Sequence, residues 1–179
     1  MAKYVFKGSL STEGIENIKT QLLNYRNVTL KDKVRQISVK LAEIGIDVAT
    51  AQVDSTPLGH YVTLNLDISP VQAGTRAILT AIGEVKHADG REPFNLLLAL
   101  EFGAGIYYNP KPNQNAGDFG LGVGTFPGQV HALEEGWYYW DEQTQSWKYT
   151  HGVKATMPLY KADTAIITSI KDVVREVFS

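Results

Sequence analysis

A short apolar stretch near the middle of the chain dominates its pattern: Leu96-Leu97-Leu98-Ala99-Leu100-Glu101-Phe102-Gly103-Ala104-Gly105. The apolar run stops abruptly at one carboxylate, one aromatic ring and two glycines. A run this apolar must be buried, and it is too short to cross a bilayer, which needs about 20 apolar residues. Glycine adopts backbone conformations closed to other residues, so the chain can leave the core sharply at Gly103 and Gly105. We therefore predict a central core helix that leads into a functional loop.

The chain after this stretch has two distinct parts. Residues 106–135 show no periodicity and are rich in Gly, Asn and Pro, and a loop of this length is typical of function or mobility. Aromatic residues then lie on both sides of a polar turn, which predicts a β-hairpin over residues 136–149. Pro158 suits the first turn of a last helix, whose apolar stripe runs to Val177.

The chain before the stretch begins with helical patterns. Ser9 or Ser11 can cap a first helix, whose stripe is Ile15, Ile18, Leu22 and Tyr25. Residues 24–28 indicate a break, and Thr29 is a good N-cap for a longer second helix. The second stripe has an average spacing near 3.5, which is also the coiled-coil period. We favour a long helix lying on a sheet. Its apolar positions are Leu30, Val34, Ile37, Leu41, Ile44, Val48 and Ala51.

Two strands are predicted next. Strict alternation over residues 61–68 indicates a strand with one buried and one wet face, residues 69–74 indicate a turn, and residues 75–86 indicate a second strand. The short connection predicts antiparallel pairing. We therefore expect a single α+β domain over residues 1–179, with an antiparallel sheet, helices packed on one face, a long functional or mobile loop at 106–135 and an aromatic β-hairpin.

Composition excludes several classes of protein. Charged residues make up 20% and hydrophobic residues 44% of the 179 residues, which is typical of a folded domain. The formal net charge is -2, so nothing global favours nucleic-acid binding. The chain has no cysteine, which excludes disulfides and thiolate metal sites. The N-terminus lacks the apolar core of a signal peptide, and no run is long enough to span a membrane. We therefore expect no membrane partner.

Residues that often carry chemistry form no recognisable catalytic set. The Gly-rich segment 117–128 lacks the Lys and Ser/Thr of a phosphate loop. The four histidines share no metal-ligand spacing, and no Ser-His-Asp order with a nucleophile elbow is present. Glu101 is either a buried acid with a raised pKa or, more often for such a residue, a cap for neighbouring amides. We expect neither an enzyme nor a cofactor, although an enzyme using Glu101 with a nearby histidine remains one alternative.

The aromatic hairpin has two interpretations. Gly136-Trp137-Tyr138-Tyr139-Trp140-Asp141, followed by Trp147-Lys148-Tyr149, resembles one unit of the cell-wall choline-binding repeats. Those repeats work by stacking many copies, because one hairpin cannot bury its own face, and this sequence holds one copy. Packing of the aromatic rings on the sheet or on a neighbouring subunit is therefore the stronger interpretation. A cell-wall or glycan-binding module remains the alternative.

Several motifs together resemble one known family. Glu101-Phe102-Gly103-Ala104-Gly105 is similar to an E-F-G-[TA]-G signature, and Ala155-Thr156-Met157-Pro158-Leu159-Tyr160 is similar to an A-x-M-P-[ML]-Y element. The Gly-rich loop, the Trp/Tyr segment and His151-Gly152 lie between them in the same order, and the C-terminal helix ends in Arg175-Glu176-Val177-Phe178. The chain thereby resembles the phage minor tail component family, the gp-ten-like neck and tail-completion proteins of long-tailed phages and prophages. The resemblance covers roughly residues 95–179, while the first half matches only in its layout.

The resemblance implies a structural virion protein of the phage head–tail junction. Such a protein assembles with itself into a ring, expected here to be a hexamer or dodecamer. Its other partners would be head-closure, tail-terminator or tail-tube proteins. DNA would pass through the lumen only as non-specific cargo, and the protein would lie in the host cytoplasm until it joins the virion. Tyr and Trp are enriched at protein interfaces because they bury much area and keep a polar tip. The hypothesised interface residues are Tyr107, Tyr108, Phe119, Phe126, Trp137 and Trp140.

Overall fold

The computed structural model describes residues 4–72, 74–85, 94–108, 131, 134–141 and 144–179. Two compact units contain these residues. The first unit comprises Met1–Ile46, Leu66–Leu79 and Thr164–Ser179, and the second comprises Asp47–Asn65 and Thr80–Asp163. Helices and small antiparallel sheets make up the described elements, so the predicted α+β class is confirmed. The expectation of a single domain stays a prediction.

The chain begins with a helix that does not break where the sequence predicts. Helix α1 spans Thr12–Asn24 and is capped by Ser11, whose Oγ accepts a hydrogen bond from the Gly14 amide at 3.1 Å. A π-helical turn follows at Tyr25–Thr29, and helix α2 spans Leu30–Asp54. The Leu30 amide donates to the Tyr25 carbonyl, five residues back. The predicted break at 24–28 and the N-cap at Thr29 are therefore wrong, because the backbone stays helical through both.

A two-stranded sheet follows a short 3₁₀ turn at Gly59–Tyr61. Strand β1 spans Thr63–Val71 and strand β2 spans Gly74–Ile82. Two residues join them, a length that allows only antiparallel pairing. The predicted turn at 69–74 is too long, because Pro70 lies inside β1. Proline is tolerated there since each strand of a two-stranded sheet is an edge strand.

In the first unit, one side of this hairpin lies near the long helices. Leu66 of β1 and Leu79 of β2 line an open cavity of about 220 Å³. The cavity is also lined by α2 residues and by a residue near the C-terminus: Ser38, Leu41, Ala42 and Ile166, with Ala77 completing the β2 side. This arrangement agrees with the expectation of helices lying on one face of the sheet.

The predicted second strand is shorter than expected. Strand β2 ends at Ile82, and after Gly83 a separate strand β3 spans Glu84–Val85. Strand β3 pairs antiparallel with strand β4, which spans Phe94–Asn95. The carbonyl of Gly83 accepts a hydrogen bond from the Leu96 amide at 3.1 Å. Strands β3 and β4 therefore lead the chain directly into the central apolar stretch.

That stretch is the core helix that the sequence predicts. Helix α3 spans Leu96–Phe102, and Asn95 caps it through a hydrogen bond from the Leu98 amide to Oδ1 at 3.2 Å. Leu96, Ala99 and Leu100 are fully shielded from solvent. Full burial of a leucine side chain contributes about 1.5–3 kcal/mol. The helix is therefore a centre of the second unit's core.

The predicted aromatic hairpin and last helix are both present. Strand β5 spans Trp137–Asp141, strand β6 spans Ser146–Thr150, and the two pair antiparallel. Helix α4 spans Pro158–Val177 and begins at Pro158, as its fixed backbone angle favours. Its buried positions include Ala162, Val173 and Val177. No helix in the described part of the chain is long and apolar enough to cross a bilayer.

Two lysines of α2 bind the C-terminal end of α4 within the first unit. Lys33 donates to the Val177 carbonyl, and its ammonium lies 5.1 Å from the centre of the Phe178 ring. Lys40 pairs with Glu176 at 2.7 Å, and the hydrogen bond to that carboxylate raises the pKa of Lys40. Cations are favoured at this end of a helix because the last carbonyls carry partial negative charge.

Candidate functional site

Glu101 joins the central helix to the start of α4. Its Oε2 accepts a hydrogen bond from the Leu159 amide at 3.0 Å, and its Oε1 accepts one from the Tyr160 amide at 2.9 Å. The first amides of a helix have no hydrogen-bond partner inside it and carry partial positive charge. A carboxylate therefore stabilises the helix both by accepting these hydrogen bonds and by its negative charge. Of the two roles that the sequence leaves open for Glu101, the structure places it as a cap.

Backbone hydrogen bonds strengthen the same junction. The Leu100 carbonyl accepts from the Thr156 amide at 2.8 Å and from the Met157 amide at 3.1 Å. Ala104 and Val153 form a β-bridge with N–O distances of 2.8 and 2.9 Å. The two motifs that carry the family resemblance, residues 101–105 and 155–160, therefore meet in space and form one structural junction, in which Pro158 is fully buried.

The chain leaves α3 through glycines in conformations that other residues rarely adopt. Gly103 has φ 84° and Gly105 has φ 76°, as the sequence predicts. The ring of Trp137 lies against Gly105, where an added Cβ would come within 2.9 Å of Trp137 Cζ3. The ring of His131 stacks on Trp137 with centroids 4.6 Å apart and planes 10° apart. Trp137 is thus a packing residue held between backbone and a histidine ring.

One face of the β5–β6 ribbon consists of exposed aromatic rings. The register pairs Tyr138 with Tyr149 and Trp140 with Trp147, and residues two apart on a strand share a face. The rings of each pair meet edge-on, at centroid distances of 5.1 and 5.7 Å. All four side chains are between 45% and 68% exposed. We call these four residues the aromatic face.

Three further rings continue the aromatic face. Tyr149 meets the His151 ring edge-on at 5.1 Å, and His151 stacks on Tyr107 at 4.1 Å. Tyr107 in turn contacts Tyr108 at 4.8 Å. His151 is oriented by a hydrogen bond between its Nδ1 and the Glu135 carbonyl at 3.1 Å. A series of ring contacts therefore runs from the Tyr138–Tyr149 pair through His151 to the residues that follow α3.

The opposite face of the ribbon has a different composition. Tyr139 lies opposite Lys148, and Asp141 lies opposite Ser146. Lys148 pairs with Asp141, and the hydrogen bond to that carboxylate raises the pKa of Lys148. Asp141 Oδ1 also accepts a hydrogen bond from the Thr144 amide at 3.2 Å, which fixes the start of the turn. A charged pair and a turn cap thus hold the ribbon from the side opposite the aromatic face.

The hypothesised interface residues fall into three groups. Tyr107, Tyr108 and Trp140 are exposed and belong to the aromatic surface, whereas Trp137 packs inward against Gly105. Phe119 and Phe126 lie outside the described residues. The hypothesised set omits Tyr138, Trp147 and Tyr149, which share the exposed face. The period-2 alternation along both strands would have placed these three on the same side as Trp140.

The histidines and carboxylates do not gather into a reactive cluster. Across the described ranges, no group of three or more His, Asp or Glu side chains is arranged to hold a metal ion. His131 pairs instead with Glu134 at 3.0 Å, and His60 bonds the Pro57 carbonyl at 2.7 Å. Among its described residues, the second unit exposes aromatic side chains and no such cluster of polar side chains.

No family model matches the chain, and neither a curated protein nor a solved structure matches it. The interpretation of the aromatic surface therefore depends on its own geometry and on the motifs in the sequence.

Proposed function

We propose that this chain is a structural, non-enzymatic component of the phage head–tail junction, a neck or tail-completion protein. It assembles by protein–protein contacts into a ring that joins tail to head. The observation that carries the proposal is the aromatic face of Tyr138, Trp140, Trp147 and Tyr149, with its extension through Tyr107. Monomeric proteins rarely expose contiguous apolar patches of more than roughly a few hundred Å², and patches above that size mark interaction sites. Tyr and Trp are also the residues most enriched among interface hot spots.

The junction around Glu101 supports this proposal in a different way. The motifs similar to those of the phage family bind each other through Glu101, Leu100 and Ala104 rather than facing solvent. The same junction includes Gly152, where an added Cβ would lie 3.1 Å from Trp137 Cη2. The motifs thus act as the scaffold from which the aromatic ribbon is presented. A rigid scaffold suits an assembly protein, because rigid partners lose less conformational entropy on binding.

The proposed partners are further copies of this chain and neighbouring proteins of the junction. Ring subunits use two different surfaces in head-to-tail contacts that close by rotation. The aromatic face would contact either the next copy in a hexameric or dodecameric ring or an adjacent head-closure, tail-terminator or tail-tube protein. The protein would act in the virion, and DNA would pass through the ring without specific contacts.

Alanine substitutions on the two sides of the ribbon test this proposal. Trp147→Ala combined with Tyr138→Ala removes two exposed rings from the aromatic face, while Tyr139→Ala removes an exposed ring from the opposite side. Each substitution in the double variant also removes one ring of a cross-strand pair, and such pairs contribute about 0.5–1.5 kcal/mol each, so circular dichroism and thermal unfolding serve to verify that the ribbon is folded. Tyr139→Ala should change the free energy of unfolding by about 0.5 kcal/mol or less. We expect the double variant to fold normally, and to reduce complete particles at least tenfold when it replaces the native copy in the phage. Tyr139→Ala should retain the native yield.

Native mass spectrometry of the purified protein supplies the second measurement. A ring-sized oligomer that the double variant loses and Tyr139→Ala keeps would identify the aromatic face as a contact between copies. A ring that survives in the double variant, together with lost particles, would assign the face to a neighbouring protein. Full particle yield from the double variant would refute the proposal.

A second candidate function has a specific observation in its favour. Exposed rings on one face of the ribbon also suit stacking against sugar rings or quaternary ammonium groups of a cell wall. Retention of the native chain on peptidoglycan or choline resin, lost in the Trp147→Ala and Tyr138→Ala variant, would favour this glycan-binding module. Passage through both resins would leave the assembly role as the better explanation of the aromatic face.

A further inference from the structure

The first unit carries a second apolar surface, which is unrelated to the aromatic face. The residues that form it recur along α1 and the start of α2, and we call them the apolar seam: Ile15, Ile18, Leu22, Tyr25, Leu30 and Val34. In spite of this regular pattern, Ile15 is 54%, Leu22 is 47% and Val34 is 37% exposed, while the other three are half-buried. An amphipathic helix stabilises a protein by burying such a stripe.

The π-helical turn keeps the seam on one side of the helix. The stripe of α1 ends at Tyr25 and that of α2 begins at Leu30, a spacing of five where four or three would continue it. Each residue of an α-helix turns the face by about 100°, so a plain helix would place the two stripes on different sides. The turn at Tyr25–Thr29 bonds five residues back and absorbs one extra residue. Both stripes therefore face the same way.

The N-terminal segment packs on part of the seam, and Ile15, Leu22 and Val34 stay exposed. The Tyr25 ring contacts Tyr4 at 4.5 Å and Phe6 at 5.7 Å between centroids. Gln21 Nε2 donates to the Lys7 carbonyl at 3.1 Å, which fixes the segment beside α1. Tyr4 remains 40% exposed and thus adds area next to the seam. The segment and the helix together present one mixed aromatic and aliphatic strip.

Charges of opposite sign lie at the two ends of this strip. Residues 12–19 carry two acids, Glu13 and Glu16, and one base, Lys19, which pairs with Glu16 at 3.2 Å. Residues 26–35 carry one acid, Asp32, and four bases, which are Arg26, Lys31, Lys33 and Arg35. An antiparallel copy of the same strip would place each acidic end beside a basic end and would also align the helix dipoles favourably. A parallel copy would place like charges together.

From this we infer that the apolar seam binds the seam of a second copy of this chain, in antiparallel orientation. The contact is isologous, since the same surface is used on both copies, and it therefore differs from the head-to-tail contacts of a ring. The strip from Thr12 to Arg35 spans 24 residues. At 1.5 Å per residue it is about 36 Å long, which is ample for a two-helix contact. This inference is independent of the function proposed for the aromatic face.

Leu22→Glu tests the seam directly in the full-length chain. Sedimentation velocity should show the native protein associating in the micromolar range and the variant associating at least tenfold more weakly. Ile167→Glu is the matched control, because Ile167 of α4 is 58% exposed and lies outside the seam. Circular dichroism should give equal helix content for all three proteins. Association that is unchanged by Leu22→Glu, or a native protein that stays monomeric at about 100 μM, would overturn the inference.

A charge exchange tests the orientation. In the antiparallel arrangement Glu16 of one copy approaches Lys31 of the other, so Glu16→Lys and Lys31→Glu should each weaken association about threefold to tenfold. The double exchange restores opposite charges and should recover native affinity, although Glu16 also pairs with Lys19 of its own helix. Two additive losses in the double variant would contradict antiparallel pairing.

Discussion

The role of Glu101 leads to a prediction at the scale of one residue. Its carboxylate accepts two amide hydrogen bonds from α4, and hydrogen bonds to a charged group contribute about 1.5–3 kcal/mol while caps contribute about 0.5–2 kcal/mol. We expect Glu101→Ala to lower the free energy of unfolding by about 2 kcal/mol in urea denaturation. Glu101→Gln should cost about half as much, because the amide keeps an acceptor but not the charge.

Glu43→Ala is the control for this experiment, since Glu43 is an exposed carboxylate on α2. Its effect should stay within about 0.5 kcal/mol. Equal effects of Glu101→Ala and Glu43→Ala would show that the Glu101 carboxylate does not stabilise α4.

The same residue shows why the sequence left its role open. The amides that Glu101 binds belong to Leu159 and Tyr160, far along the chain. The local sequence shows that Glu101 ends an apolar run, but it cannot show that the N-terminus of a distant helix lies beside the carboxylate. Gly103 and Gly105 are the contrasting case, because a left-handed conformation after a helix is a local property and was predictable.

At the scale of the element, the π-helical turn shows where hydrophobic periodicity fails to predict whether a helix ends or continues. Residues 24–28 indicated a break, yet the helix continues through them because a π-helical turn absorbs one extra residue. Helix α4 was predicted well, since its stripe is unbroken and Pro158 marks its start. The apolar run of α3 was predicted too, but its start at Leu96, directly after strand β4, was not. The exposed aromatic face was missed as a set because the interface hypothesis selected residues by type rather than by strand face.

Deleting Asn27 tests the function assigned to this turn. With one residue fewer, the segment can close as an ordinary α-helix in which the last position of the α1 stripe and the first position of the α2 stripe are four residues apart, so the apolar seam stays aligned. We expect helix content and thermal midpoint to be retained, because α-helical hydrogen bonds replace the π-helical ones. Self-association measured by sedimentation should therefore match that of the native chain.

Asn27→Ala is the control for the deletion, since it keeps the residue count and should associate as the native chain does. A deletion variant that associates much more weakly than Asn27→Ala would show that the π-helical turn does more than absorb one extra residue.

At the scale of the whole molecule, the net charge predicts weak binding to DNA. The chain has 17 basic and 19 acidic residues, a net charge of -2, and non-specific DNA binding comes chiefly from Lys and Arg that displace counterions from phosphates. Proteins that bind DNA non-specifically do so with dissociation constants of about 10⁻⁴–10⁻⁶ M at physiological salt. We expect weaker binding than this in a mobility-shift assay at about 0.15 M salt, because the net negative charge opposes association with phosphates. Weak binding is also what the proposed passage of DNA through a ring requires. A salt series down to about 0.02 M provides the control, since the basic residues at 26–35 should then give weak, salt-sensitive retention. Tight binding at physiological salt would contradict passive passage of DNA and would make these basic residues a nucleic-acid site instead.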